Sequence, residues 1–151
     1  MAEVSLKEQL NNAVKDAMRK TDKLKLATLR MAQAAIKQIE IDERRELSDE
    51  DVLEVLDKML KQRRDAASQY DDAGREDLGD KERAEMVYIE EFMPEALTED
   101  DLDGLIRVAI SSTDAQGMQD MNRVMKELRP QVLGRVEMGH VSKKVRDALA
   151  S

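Results

Sequence analysis

Basic side chains near the end of the chain have the clearest capacity for chemistry, because Lys and Arg bind phosphate groups. Residues 115–151 contain seven Lys or Arg and four Asp or Glu, whereas the first 94 residues contain 17 basic and 23 acidic residues. With a formal net charge of −8, the chain repels polyanions over most of its surface and can attract them only locally. The predicted nucleic-acid contacts are Arg123, Lys126, Arg129, Arg135, Lys143 and Lys144.

These six residues are spaced so that two predicted helices and the loop between them present them on one surface. Lys126 and Arg129 share a side of one helix, and Lys143 and Lys144 fall in the first turn of the next. Such a surface can contact the backbone of duplex or folded RNA through phosphates, without reading its sequence. With only three aromatic residues in the chain, stacking on single-stranded bases is not expected. The alternative is a solvated face without a ligand.

Residues suited to catalysis or to metal binding are scarce. Cys is absent, and the sequence has no phosphate-binding loop, no dinucleotide-binding glycine motif and no serine nucleophile elbow. His140 is the single histidine and is expected to cap a helix or face solvent. The carboxylates at 49–51 and 99–101 are expected at helix N-termini, where the helix dipole favours them. No catalytic residue, metal or cofactor is therefore predicted.

Two other groups of residues have an ordinary structural interpretation. The basic run Lys61-Gln62-Arg63-Arg64 is expected on a solvated helix face, in part because Asp57 precedes Lys61 by one helical turn. Three methionines at helical spacing are expected in the core, with a role in binding as the alternative. They are Met118, Met121 and Met125.

The fold is predicted to be all-α, because apolar residues recur at helical spacing and no strand-like alternation is found. An N-terminal domain over 1–94 is expected to form a four-helix up-and-down arrangement. A small three-helix domain is expected to follow over 95–151. Pro94 ends the last helix of the first domain, and Thr98 begins the next helix.

The apolar pattern also predicts which side of each helix is buried. The second helix (22–44) is expected to lie centrally, because its apolar stripe is wide. The residues of that stripe are Ala27, Met31, Ala34, Ala35 and Ile39, together with Leu24, Leu29 and Ile36, which widen it. The fourth helix is expected over 79–93, with Val87 buried. A helix is expected to stop before Pro130, and the last helix is expected to begin at Ser142.

Neither a membrane-spanning helix nor a signal peptide is expected. The longest apolar runs are too short to span a bilayer, and the first ten residues mix Glu3, Lys7 and Glu8 with apolar positions. The expected location is cytoplasmic.

Six short stretches, in order, give the chain a resemblance to the YqeY proteins of the GatB/YqeY domain family. They are Thr28-Leu29-Arg30-Met31, Lys61-Gln62-Arg63-Arg64-Asp65-Ala66, Ala73-Gly74-Arg75-Glu76-Asp77-Leu78, Glu91-Phe92-Met93-Pro94-Glu95-Ala96-Leu97, Met118-Gln119-Asp120-Met121-Asn122-Arg123-Val124-Met125, and Gly134-Arg135-Val136 followed by Val141-Ser142. In one place the chain departs from the family pattern. Arg135 is followed by Val136-Glu137-Met138-Gly139-His140 where a small residue, Asp and Gly usually follow.

The resemblance implies an all-helical, two-part protein similar to the C-terminal helical and tail region of the B subunit of the tRNA-dependent Asp/Glu amidotransferase. In that enzyme the tail helps to hold the tRNA, and the chemistry lies elsewhere. The implied function is a noncatalytic module that binds tRNA or a tRNA-bound enzyme. One alternative is an accessory role in glutamine-dependent carbon–nitrogen ligase activity, without autonomous turnover. A second alternative is a protein–protein adaptor with an unidentified partner.

Overall fold

Seven α-helices and one 3₁₀ turn account for most of the chain in the computed structural model, which describes residues 4–150. The described residues contain no β-strand, so the prediction of an all-α fold is confirmed. A 3₁₀ turn, Met118–Asp120, directly precedes α6. The helices are α1 (Leu6–Arg19), α2 (Lys23–Glu43), α3 (Asp49–Asp72), α4 (Glu76–Glu90), α5 (Glu99–Ser112), α6 (Met121–Val132) and α7 (Met138–Ala150).

The chain separates into two compact units, Met1–Met93 and Pro94–Ser151. In the first unit α3 packs along α4 and α1 along α2, and α2 also contacts α3 and α4. In the second unit α6 contacts both α5 and α7. That 1–94 and 95–151 are independently folding domains stays a prediction.

Short polar side chains fix where several helices begin. The Ser48 hydroxyl accepts a hydrogen bond from the backbone N–H of Asp51 at 3.3 Å, and the Asp51 carboxylate accepts one from the Ser48 N–H at 3.0 Å. Thr98 and Asp101 form the same reciprocal capping box at α5. Each cap is worth about 1 kcal/mol. The two carboxylate clusters therefore lie in first turns of helices, as predicted.

The central position of α2 is as expected, and its predicted buried stripe is confirmed in part. Leu29 and Ile36 are buried, and Ala35 and Ile39 pack against the core, whereas Ala27, Met31 and Ala34 are exposed. The predicted stripe was wide, and helical periodicity alone could not select the part of it that is buried. The larger, branched side chains bury more apolar area, which favours the observed orientation.

The fourth helix begins and ends about three residues earlier than predicted, and Val87 is exposed while Ile89 is buried. Gly79 lies inside α4 rather than at its start, where α4 approaches α3 closely. A Cβ atom at Gly79 would lie 3.3 Å from the backbone carbonyl oxygen of Ala67 on α3 and 2.5 Å from the movable Oδ1 of Asp71. This close approach explains a buried glycine in a helix, where glycine costs about 1 kcal/mol relative to alanine.

The second unit has a core of nine buried residues drawn from all three of its helices. Two boundaries differ from the prediction: α6 continues past Pro130 to Val132, and α7 begins four residues before Ser142. Pro130 lies close to the helix end, where a missing N–H costs least, and burial of Val132 favours the extra turn.

The three methionines that were expected in the core differ in burial. Met118 is 43% exposed, so only Met121 and Met125 pack against the core.

The prediction of a solvated face at Lys61-Gln62-Arg63-Arg64 is wrong for Arg63, which is only 6% exposed. Its guanidinium Nε lies 3.2 Å from a carboxylate oxygen of Glu85 on α4. Another guanidinium nitrogen donates to the Met59 carbonyl oxygen at 3.2 Å, and a third lies 3.6 Å from the Met31 sulfur of α2. A buried arginine with these partners connects α2, α3 and α4.

We expect Arg63→Met to lower the free energy of unfolding by about 3–5 kcal/mol, because it leaves the Glu85 charge buried and unpaired. The double variant Arg63→Met/Glu85→Leu should recover most of that loss. Urea unfolding followed by tyrosine fluorescence reports on this unit, since Tyr70 and Tyr88 both lie in it. Equal losses in the single and double variants would show that the pair is not the source of the stability.

We expect residues 95–151, produced alone, to be helical by far-UV circular dichroism and to melt in a cooperative transition below that of the full chain. So short a chain buries a small core and is only marginally stable. A helical signal that declines steadily on heating, without a transition, would contradict independent folding.

Candidate nucleic-acid interface

Buried valines and leucines position the basic residues of α6 and α7. On each helix the core-facing residues recur every four residues, which turns the intervening positions toward solvent. These core residues are Val124, Leu128 and Val132 on α6 and Val141, Val145 and Leu149 on α7. The segment 121–150 contains seven Lys or Arg and three Asp or Glu, so solvent meets a mostly cationic surface.

Three cations of this segment are exposed and form no ion pair with any described residue. They are Lys126 on α6 and Lys143 and Arg146 on α7. Lys143 and Arg146 are three residues apart and so lie on neighbouring positions of one helix side. Arg146 was not among the predicted contacts, although it belongs to the same basic stretch. These three charges are available to phosphate without the loss of an existing contact.

The other arginines of the segment already have structural contacts. Arg123 forms an ion pair with Asp120 at 3.0 Å, and Arg129 lies in the last turn of α6, where a cation favours the helix C-terminus. Arg135, in the loop between the helices, donates from Nε to the Glu95 carbonyl oxygen at 3.0 Å and from a terminal nitrogen to the Gln131 carbonyl oxygen at 3.3 Å. Its main role in the structure is to connect the start of this unit to the end of α6.

Lys144 is held by two carboxylates of α5. Its Nζ lies 2.7 Å from Glu99 and also forms an ion pair with Asp103, and only 23% of its side chain is exposed. His140, one turn earlier on α7, places Nε2 2.6 Å from the other Glu99 oxygen. Lys143 and Lys144 therefore have different surroundings. Phosphate binding by Lys144 would compete with two ion pairs, whereas Lys143 has none to lose among the described residues.

Hydrogen bonds within this cluster shift the pKa values of Glu99 and Lys144. Hydrogen bonds from Lys144 and then from His140 lower the pKa of the Glu99 carboxyl, because they stabilise its charged form. Hydrogen bonds to Asp103 and then to Glu99 raise the pKa of Lys144. The stretch that departs from the family pattern, Val136 to His140, leads into α7, which begins at Met138, and its His140 supplies one of these contacts.

The described residues hold no group of three or more His, Asp or Glu side chains that could bind a metal ion. A cleft of about 390 Å³ lies between α1 and α2, but its Lys7 and Glu40 are paired with each other at 2.6 Å. Over residues 4–150, no helix combines the length and the apolar character needed to cross a membrane.

The comparison with protein families gives a match to the model of Yqey-like protein over residues 7–149. The chain belongs to the YqeY family. The match includes both units, so the resemblance predicted from the six short stretches is confirmed.

A more distant relative of this YqeY-family chain is the curated fungal protein "Altered inheritance of mitochondria protein 41, mitochondrial" of Pyrenophora tritici-repentis (strain Pt-1C-BFP). The two are 27% identical over 146 residues, which is 95% of this chain and 80% of the relative. The relative is mitochondrial by its name, so the cytoplasmic location expected for this chain stays a prediction. The relation to the amidotransferase B subunit also stays a prediction.

We expect Glu99→Gln to lower the thermal midpoint at pH 7, because it removes the acceptor shared by Lys144 and His140. A carboxyl with a lowered pKa stabilises the fold above its ordinary value of 4.5, and this contribution is lost as the pH falls through the folded-state pKa. The difference between the variant and the wild type should therefore shrink below about pH 4.5. The matched control is Asp100→Asn, in the same turn of α5. A Glu99→Gln difference that is unchanged at low pH would contradict this origin.

Proposed function

We propose that this YqeY-family protein is a noncatalytic helical module that binds RNA, with tRNA as the expected class, through the phosphates. The observation that carries the proposal is the set of exposed cations on α6 and α7 without ion pairs to described residues, on a chain of net charge −8. Lys126, Lys143 and Arg146 are the primary contacts. Arg123, Arg129, Arg135 and Lys144 add positive potential and contribute contacts where their present partners are exchanged for phosphate.

Contacts of this kind supply affinity but little sequence specificity. The three aromatic residues of the chain are Tyr70, Tyr88 and Phe92, all in the first unit, so the second unit has no platform for base stacking. Recognition would then follow the shape and charge of a folded RNA, which suits tRNA better than a single strand. The resemblance to the tail of a tRNA-dependent enzyme supports the same choice.

A module of this kind holds RNA near an enzyme and performs no step itself. The amidotransferase-accessory interpretation is one form of this role, and the adaptor interpretation is its competitor. Glutaminase activity or amidation of charged tRNA by the purified chain would overturn the noncatalytic assignment. A protein complex that survives nuclease treatment, together with no RNA affinity in the purified chain, would favour the adaptor.

We expect total tRNA to bind the full chain at about 50 mM salt and to bind roughly forty-fold more weakly at about 200 mM, if three phosphates are contacted. Lys126→Glu/Lys143→Glu should weaken binding at least tenfold and reduce the salt dependence by about two contacts. Fluorescence anisotropy with labelled tRNA measures both quantities.

The matched control is Lys61→Glu/Lys81→Glu, which makes the same charge change on exposed residues of the first unit. If the control loses as much affinity as the α6–α7 variant, binding follows net charge and the site is misassigned. If the wild type does not bind tRNA at 50 mM salt, the proposed function fails.

A further inference from the structure

The exposed side of α2 carries a row of basic residues at a regular interval. Lys23, Arg30, Lys37 and Arg44 are each seven residues apart, and all four are exposed. The first three lie within α2, and because seven residues are close to two helical turns, their charges are aligned about 10.5 Å apart. Arg44 follows them as the C-terminal cap, in a left-handed conformation outside the regular helix.

These four cations form no ion pair with any described carboxylate, although the first unit is rich in acidic residues. Lys37 interacts electrostatically with Glu40, but the ion-pair partner of Glu40 is Lys7. Arg30 contacts only a sulfur atom, that of Met18, at 3.7 Å. Other cations of the same unit are paired: Lys7 with Glu40 at 2.6 Å and Arg83 with Asp71 at 2.9 Å. The basic row is therefore a local concentration of available charge on an acidic protein.

A row of apolar residues lies beside the basic row. Ala27, Met31, Ala34 and Ile41 follow one another at intervals of four, three and seven residues, the spacing of a coiled-coil seam. Met31 is 54% exposed and Ile41 is 60% exposed. The buried residues Leu29 and Ile36 lie on the other side of the helix. Met31 contacts Arg63 through its sulfur atom but stays 54% exposed, so packing within the first unit does not account for the exposed apolar area of this row.

We propose that these two rows, here called the α2 seam, form a docking surface for an acidic amphipathic helix of another protein. Ala27 and Ala34 are small, which leaves room for a second helix to approach closely around Met31. Carboxylates flanking the apolar positions of that helix would lie opposite the basic row, as in the charged flanks of coiled coils.

A second copy of this chain is a poor occupant on grounds of charge. An antiparallel pairing of two α2 helices sets one basic row against the other. A parallel pairing sets each basic row against Thr28, Ala35 and Asp42 of the other copy, and Thr28 is buried in its own unit.

The apolar row argues against RNA as the occupant, because RNA would leave Met31 and Ile41 in water. It also argues against a lipid surface, because two of its four residues are alanines and offer little apolar area.

The test uses the full chain and a designed three-heptad peptide with Leu at the seam positions and Glu at the flanking positions. A peptide with Lys in place of Glu is its charge-reversed partner. We expect the Glu peptide to bind by fluorescence anisotropy and the Lys peptide to bind at least tenfold more weakly. Arg30→Glu/Lys37→Glu should weaken Glu-peptide binding about tenfold or more. Ala34→Gln, which adds bulk without charge, should weaken it about fivefold.

Lys61→Glu/Lys81→Glu serves again as the matched control and should leave the peptide affinity within twofold of the wild type. Far-UV circular dichroism and the thermal midpoint establish that each variant is folded. The α2 seam belongs to the first unit and the proposed phosphate contacts to the second, so the two proposals can fail separately.

Three results would overturn the α2 seam as a protein-docking surface. The first is no Glu-peptide binding at about 1 mM, or equal binding of the Glu and Lys peptides. The second is Glu-peptide affinity that Arg30→Glu/Lys37→Glu leaves unchanged. The third is binding of tRNA or of phosphatidylserine vesicles that this variant abolishes while its peptide affinity is retained, which would make the surface a general polyanion or lipid site.

Discussion

The ion pair between Arg63 and Glu85 fixes α3 against α4, and the rest of the first unit depends on that contact. A buried guanidinium must keep its hydrogen-bond partners, which adds a directional constraint to the packing of aliphatic side chains. Arg63 contacts the Glu85 carboxylate on α4, the Met59 carbonyl oxygen on its own helix and the Met31 sulfur atom on α2. A second arginine pair, Arg83 with Asp71, joins the same two helices where Gly79 permits close approach. With α3 and α4 fixed in this way, α2 covers the core with one side and leaves its seam exposed.

In the second unit, the pairing of charges decides which cations can meet a ligand. The acidic first turn of α5 engages Lys144 and His140, Asp120 engages Arg123, and backbone carbonyls engage Arg135. A count of basic residues treats these positions as equivalent to Lys126 and Lys143, but the free energy of a phosphate contact differs between them. An unpaired exposed lysine gives up only water, whereas Lys144 must also give up two ion pairs. The set of cations that can contact phosphate without losing an existing ion pair is therefore smaller than the set of basic residues in the sequence.

Local features of the fold were predictable from the sequence, and features that depend on a packing partner were not. Ser48 and Thr98 begin helices because their hydroxyls satisfy backbone N–H groups a few residues away, and Gly74, in a left-handed conformation, follows the end of α3. Which part of the wide apolar stripe of α2 is buried depended on where the other helices meet it: Leu29 and Ile36 are buried, whereas Ala27 and Ala34 are exposed. The burial of Arg63 depended on Glu85, 22 residues away in the sequence. In the candidate interface, the basic segment was visible in the sequence. The ion pair of Lys144 with Glu99 of α5 was not, because the two residues are 45 positions apart.

The two proposed surfaces support one another through electrostatics. The first 94 residues carry six more acidic than basic residues, and the α2 seam concentrates four of the basic ones in a single row. An acidic helix docked on that row would neutralise its four charges, which would leave 13 of the 17 basic residues of the first unit against 23 acidic ones. The first unit would then repel RNA more strongly, over a distance of about 8 Å at physiological salt. Occupation of the α2 seam would therefore favour binding of RNA at the proposed contacts on α6 and α7 over binding at the first unit.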